Sequence, residues 1–137
     1  MQNGTFIFRG DDSYQGGDIG VPIRFDVDAV DIIEHLQQKK TGNPFVSFST
    51  KRAKKISDGT RGARFFGKQI LKVSTDDLEQ LVKSGVVRVI TPFDVYDIIS
   101  AHPKKQIRIQ AGNIKSNMQR NNELLIQGQI PSSIIQR

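Results

Sequence analysis

The chain has no cysteine, so neither disulfides nor a thiolate metal site can hold its fold. Its two histidines, His35 and His102, have no carboxylates spaced to complete a catalytic zinc site, and no metal is expected. No apolar run approaches the roughly 20 residues that a membrane-spanning helix needs, so no membrane partner is expected either. Met1-Gln2-Asn3-Gly4 has neither the basic start nor the apolar stretch of a signal peptide. A Gly-rich strand–turn–helix of the Rossmann or P-loop kind is missing, so any dinucleotide would be held by other means. Neither histidine sits in a recognisable Ser-His-acid arrangement, and there is no nucleophile elbow. Internal repeats and low-complexity segments are also lacking.

What is there suits one globular domain over residues 1–137, with 36% hydrophobic and 25% charged side chains. The net charge of +6 is unevenly spread. Residues 1–36 hold two basic and seven acidic side chains, and residues 37–72 hold ten and one. Residues 73–102 hold two and five, and residues 103–137 hold six basic side chains and one carboxylate, Glu123. Basic blocks of this kind fit an anionic ligand such as a dinucleotide or nucleic acid. An unevenly charged, solvated surface accounts for the blocks alone equally well.

Residues 5–9 read as a strand stopped by Gly10-Asp11-Asp12, and residues 10–20 as a loop. Apolar residues at Val27, Val30, Ile33 and Leu36 give helical spacing to about Lys39, with Asp26 as its cap. Asn43-Pro44 breaks the chain before a strand over 45–49, and Thr50 caps a short basic helix through Ile56. Residues 57–63 read as loop, Phe65-Phe66 and 69–73 as strand, and Ser74 or Thr75 caps a helix that Gly85 ends. After a strand over 86–90, Thr91-Pro92-Phe93-Asp94 starts a helix to about Ala101. Ile107, Ala111, Ile114 and Met118 suggest part-helix, against Gly112-Asn113. Strands are expected at 123–126 and 133–136, with a bend at Gly128. This mixture predicts an α+β fold rather than a doubly wound sheet.

Three places could carry chemistry. In Phe8-Arg9-Gly10-Asp11 an arginine ends an apolar strand, suited to a bidentate grip on phosphate or to a structural salt bridge. In Phe45-Val46-Ser47-Phe48-Ser49-Thr50 the alternation puts Ser47 and Ser49 on one strand face. They could orient a catalytic side chain, or be plain strand-edge serines. Glu123 opens an apolar strand after a polar loop, either in a cleft or in solvent.

In this order the three segments resemble the arginine–serine–glutamate signature of mono-ADP-ribosyltransferase toxins of the cholera-toxin-like branch. Phe8-Arg9-Gly10-Asp11 is similar to the aromatic-Arg strand, and Ser47-Phe48-Ser49-Thr50 to the Ser-Thr-Ser strand, with Phe in its middle. Glu123, seven residues before Ile130-Pro131, is similar to the catalytic glutamate. The resemblance spans residues 5–135. It implies an ADP-ribosyltransferase-like fold: two small packed sheets, antiparallel or mixed, flanked by a few helices around an NAD cleft.

The roles it implies are these. Arg9 holds a phosphate of NAD, the co-substrate, and the Gly10 backbone meets the nicotinamide amide. Ser47 fixes the Glu123 rotamer, and Ser49 lies beside it. Glu123 binds the nicotinamide ribose and stabilises charge that develops as the glycosidic bond breaks. That task needs an ionised carboxylate, and the basic surroundings in sequence are expected to keep its pKa low. Phe48, Phe65 or Phe66 stacks on nicotinamide or simply packs in the core. Asn121 and the loop over 116–122 face the acceptor.

Arginine-modifying members carry glutamate two residues before the catalytic one. Asn121 stands there and is poorly suited to deprotonating a guanidinium. The acceptor is therefore expected to be RNA or DNA, bound through the basic blocks, or a non-arginine protein side chain. One rival reading is an NAD glycohydrolase toxin, and another is a non-catalytic nucleic-acid-binding module. The resemblance further implies a monomeric toxin domain of a secreted bacterial effector, such as an Rhs-type polymorphic toxin. It would act in a target cell's cytoplasm and be neutralised by a cognate immunity protein.

Overall fold

A computed structural model of the chain describes residues 5–23, 28–37, 45–51 and 69–137. Its sheet is organised around β5 (Glu123–Gly128), which is apolar on both faces. Leu124 and Ile126 enter one core and Leu125 another, as two-residue alternation requires. A strand covered on both faces belongs inside a sheet, and β5 lies between β2 (Phe45–Ser49) and β4 (Val87–Ile90). With β1 (Phe6–Gly10), β3 (Ile70–Ser74) and β6 (Ile135–Gln136) the order is β4-β5-β2-β1-β3-β6, with every pairing antiparallel.

The chain is α+β, as expected, but the described strands form one six-stranded sheet rather than two small packed ones. That sheet is thin at one place. β2 runs beside β5 from Phe45↔Gln127 to Ser49↔Glu123, and β1 beside β3 from Phe6↔Ser74 to Gly10↔Ile70. Yet β1 and β2 meet in register only at Phe8↔Ser49. Two three-stranded halves are thus joined along a seam one residue pair wide.

The two faces of the sheet differ. On one, Leu78 of α2 (Thr75–Lys83) packs with Ile7, Leu71 and Val73 of one half and Phe48, Ile126 and Val87 of the other. This core crosses the seam. On the opposite face α1 (Ala29–Leu36), α3 (Pro92–Ser100) and α5 (Ala111–Arg120) bury Ile32, Ile99 and Met118 against Phe45, Ile90 and Leu125. All three of these strand residues belong to the β4-β5-β2 half. Each such side chain contributes about 1.5–3 kcal/mol by leaving water, so the helix layer is firmly held where it lies.

Local signals explain most boundaries. Thr91 and Asp94 form a reciprocal capping box with Pro92 at the first turn of α3. Ser74 caps α2 by accepting from the amides of Asp76 and Asp77, and Gly85 ends that region at φ 77°. Asp28 caps α1, its carboxylate accepting from the Val30 amide at 2.6 Å; the expected cap, Asp26, lies outside the described residues. So do Asn43-Pro44, the basic helix over 52–56, the loop over 57–63 and Phe65-Phe66.

After α3 the chain forms a short α4 (Lys105–Arg108) and then α5. The expected acceptor-facing loop over 116–122 is therefore helix as far as Arg120, because Ala111, Ile114 and Met118 bury one stripe strongly enough to override Gly112-Asn113. The last expected strand is a 3-10 turn (Ser132–Ile134) followed by β6. No described helix is long and apolar enough to cross a membrane.

Candidate active site

The pairing of β2 with β5 puts Ser49 opposite Glu123 and Ser47 opposite Leu125, so Ser47 is the diagonal neighbour of Glu123. Alternation turns Ser47, Ser49 and Glu123 to the same face as Phe45 and Leu125, the face with the helix layer. That layer stops at the seam, and a cavity of about 410 Å³ opens there. Its walls include Arg9 and Gly10 from β1, Ser47, Phe48 and Ser49 from β2, and Asn121 and Glu123 from the start of β5. The structure thus brings every described residue singled out in the sequence into one cavity. Phe8 joins them from β1, and His35 and Leu36 from the end of α1.

Burial raises the Glu123 carboxyl above its ordinary value of 4.5, and a hydrogen bond from the Ser47 hydroxyl pulls it partly back. This corrects the expectation of a low pKa. Charges near in sequence do not reach the carboxyl, since no described residue forms an ion pair with Glu123, and desolvation decides the direction.

Ser47 also lies 2.8 Å from His35, Oγ to Nε2. A hydroxyl has one proton. When Glu123 is ionised it can only accept, so Ser47 donates to Glu123 and must accept from His35, whose proton then sits on Nε2. The three side chains form a directed relay, His35 to Ser47 to Glu123. Phe45 stands edge-on to the His35 ring, with centroids 5.8 Å apart, and fixes its plane. Sequence reasoning missed His35 because its only local signal was a place near the end of an amphipathic helix. Its partner comes from β2.

Arg9 spans the seam. Its Nη1 donates to the Ser47 carbonyl at 3.0 Å, and its Nε lies 3.4 Å from Asp11 Oδ2. The structural salt-bridge reading of this residue is therefore met by its pair with Asp11. A partly exposed pair of this kind is worth about 0.2–1 kcal/mol, and Nη2 has no partner among the described residues. Burial would raise the Asp11 carboxyl, but the Ser13 hydroxyl, the Arg9 charge and the Ser13 amide outweigh it and leave the pKa lowered. Asp11 thus stays ionised and keeps the guanidinium turned to the cavity.

Glu123 is positioned by the residues just before it. Asn121 closes α5, and Asn122 turns the chain at φ 53°, a left-handed conformation that asparagine tolerates. The Asn122 carbonyl accepts from the Thr50 amide at 2.8 Å, which ties this turn to the end of β2. Ser49 lines the cavity but is 4% exposed, and its hydroxyl donates to the Lys51 carbonyl at 2.9 Å. Phe48 takes the core setting of the two expected for it. At 2% exposure it is a core residue that also lines the cavity, and among the described residues the half-buried Phe8 offers further aromatic surface there.

A cavity with one desolvated carboxylate, a relay that orients it and a guanidinium with free donors can hold an anionic group beside a centre of developing positive charge. No family model matches the chain, and no curated protein or solved structure is significantly similar to it.

Proposed function

We propose that this chain is a mono-ADP-ribosyltransferase that cleaves NAD and passes ADP-ribose to a macromolecular acceptor. The observation that carries the reading is the convergence of Arg9, Ser47 and Glu123, from three distant segments, on one cavity at the seam. The cavity and its donors fit the nicotinamide-ribose end of the dinucleotide and one phosphate. When bound, NAD supplies a cationic leaving group whose glycosidic bond is ready to break.

The residues then divide the work. Arg9 offers its free Nη2 donor to a phosphate, and Gly10 lets the substrate approach the strand backbone. Ser47, oriented by His35, holds the Glu123 carboxylate in one rotamer. Glu123 faces the ribose and stabilises the positive charge that grows as the bond to nicotinamide lengthens. The burial that raises its pKa also strengthens its attraction for a cation, because the surrounding dielectric is lower. Nicotinamide leaves with the bonding pair, the acceptor bonds to the vacated ribose carbon, and its proton is released to solvent.

A second cavity directly beside Glu123 favours transfer over simple hydrolysis, since a glycohydrolase needs room only for water. Action as an effector toxin inside a target cell, countered by an immunity protein, belongs to the same proposal. The test is incubation of labelled NAD with the protein and total cell lysate. Label should appear on macromolecules with the native chain and vanish with Glu123→Gln. Nicotinamide release without macromolecular label would select the glycohydrolase reading, and no release at all would sink both.

A further inference from the structure

The second cavity, of about 360 Å³, shares Leu36, Asn121 and Glu123 with the first. Its own walls are Gln37 from the end of α1 and Ile114, Asn117, Met118 and Arg120 from α5. Glu123 therefore forms a partition between two compartments. If the first takes the sugar to be cleaved, an acceptor entering the second meets the reacting carbon from the other side of the carboxylate.

The chemistry of this wall is specific. Gln37, Asn117 and Asn121 are neutral amides that donate and accept at once, the pairing groups used to read base edges. Ile114 and Leu36, both half-buried, give an apolar surface for the flat face of a ring. Arg120 forms no ion pair among the described residues, so its guanidinium is free for a phosphate. Among the described residues no carboxylate other than Glu123 lines the cavity, so there is no second acid there to attract a lysine or arginine side chain.

The segment that carries most of this wall has charge of one sign. Residues 103–122 hold five basic side chains (Lys104, Lys105, Arg108, Lys115 and Arg120) and no acidic one. They fold as α4 and α5, with only apolar residues turned to the core. On neighbouring α3, Asp94 is held in its capping box and Asp97 is exposed.

We infer that α4, α5 and the second cavity form the acceptor site, and that the acceptor is a nucleotide of single-stranded nucleic acid. This rests on the proposed NAD cleavage for its chemistry, though not for its binding. A single strand is required because a base must leave its stack to enter the cavity. A hydroxyl or amine of that nucleotide forms the new bond to the ribose carbon, nicotinamide departs with the electron pair, and the acceptor's proton goes to solvent.

Binding and transfer are measured separately. Fluorescently labelled 20-mers of single-stranded RNA, single-stranded DNA and duplex DNA are titrated against the Glu123→Gln protein by anisotropy, at several salt concentrations. Single strands should bind tighter than duplex, and replacing Lys105 and Arg108 with alanine should lower the log–log salt slope by about 0.7 per lost contact. In the native chain, label from NAD should be removed by nuclease and not by protease. Arg120→Ala should cut the share of cleaved NAD that ends on nucleic acid rather than water by about tenfold. Protease-sensitive label, equal partition in Arg120→Ala, or binding that ignores salt would overturn the inference. Loss of NAD cleavage alone would overturn the enzymatic reading and leave the anisotropy to decide this one.

Discussion

The two halves of the sheet share one core but differ on the opposite face. The β4-β5-β2 half is covered there by α1, α3 and α5, whereas those helices bury no residue of β1, β3 or β6 among the described core members. The covered half carries Glu123 and Ser47, whose task is to hold one geometry. The other half carries Arg9 and Gly10, at the point where the strands part. The cavity is thus a boundary of the helix layer, and the Glu123 carboxyl and the Arg9 guanidinium stand on opposite sides of that boundary.

Substitution of each side should give a different signature. The largest effect is expected from Glu123→Gln, which should lower kcat for NAD cleavage by about 10²–10³-fold with the fold intact. Because the folded pKa is raised, the native chain loses stability as pH rises from 4.5 through the folded value. Glutamine escapes that loss, so thermal melting should show Glu123→Gln more stable than native at neutral pH. The gap should close below 4.5.

On the open side, Arg9→Lys removes the fork that grips the Ser47 carbonyl and that the proposed function assigns to a phosphate. It should raise KM for NAD about tenfold, with a smaller effect on kcat. On the covered side, Ser47→Ala removes the bond that lowers the Glu123 pKa. The acid limb of the rate profile, already above 4.5, should move to still higher pH, and kcat at neutral pH should fall by up to about tenfold. A pH limb that stayed in place would break the distinction between the two sides.

Smaller effects test the scaffold. Asn122→Val forces a β-branched residue into a left-handed conformation and should cost about 1–2 kcal/mol in urea unfolding, whereas Asn122→Gly should be nearly neutral. Gly112→Ala, inside α5 with nothing near the added methyl, should stabilise by about 0.5–1 kcal/mol without changing NAD cleavage.

Elements with their own stop and start signals were legible in the sequence: Thr91-Pro92 before α3, Ser74 before α2, the alternating strand at 45–49 and the apolar one at 123–126. α5 was only half legible, since Gly112-Asn113 argue locally for a turn and its helical stripe gains meaning only against α3 and β5. Of the site, the residue identities could be read along the chain, while His35 and the direction of the Glu123 pKa could not. Both depend on what β2 and α1 place around them after folding.

The place of β5 in the sheet also dictates an order of events. It is inserted between β2 and β4, both of which precede it in the chain, and it brings Glu123 with it. Until β5 has been synthesised, β2 and β4 have no common neighbour and Ser47 has no carboxylate to orient. Pairing residue 49 with residue 123 is a distant, late contact. A ribosome making this chain therefore carries an incomplete site until β5 has been made. Whatever the finished cavity does to a cell, the nascent polypeptide cannot do it.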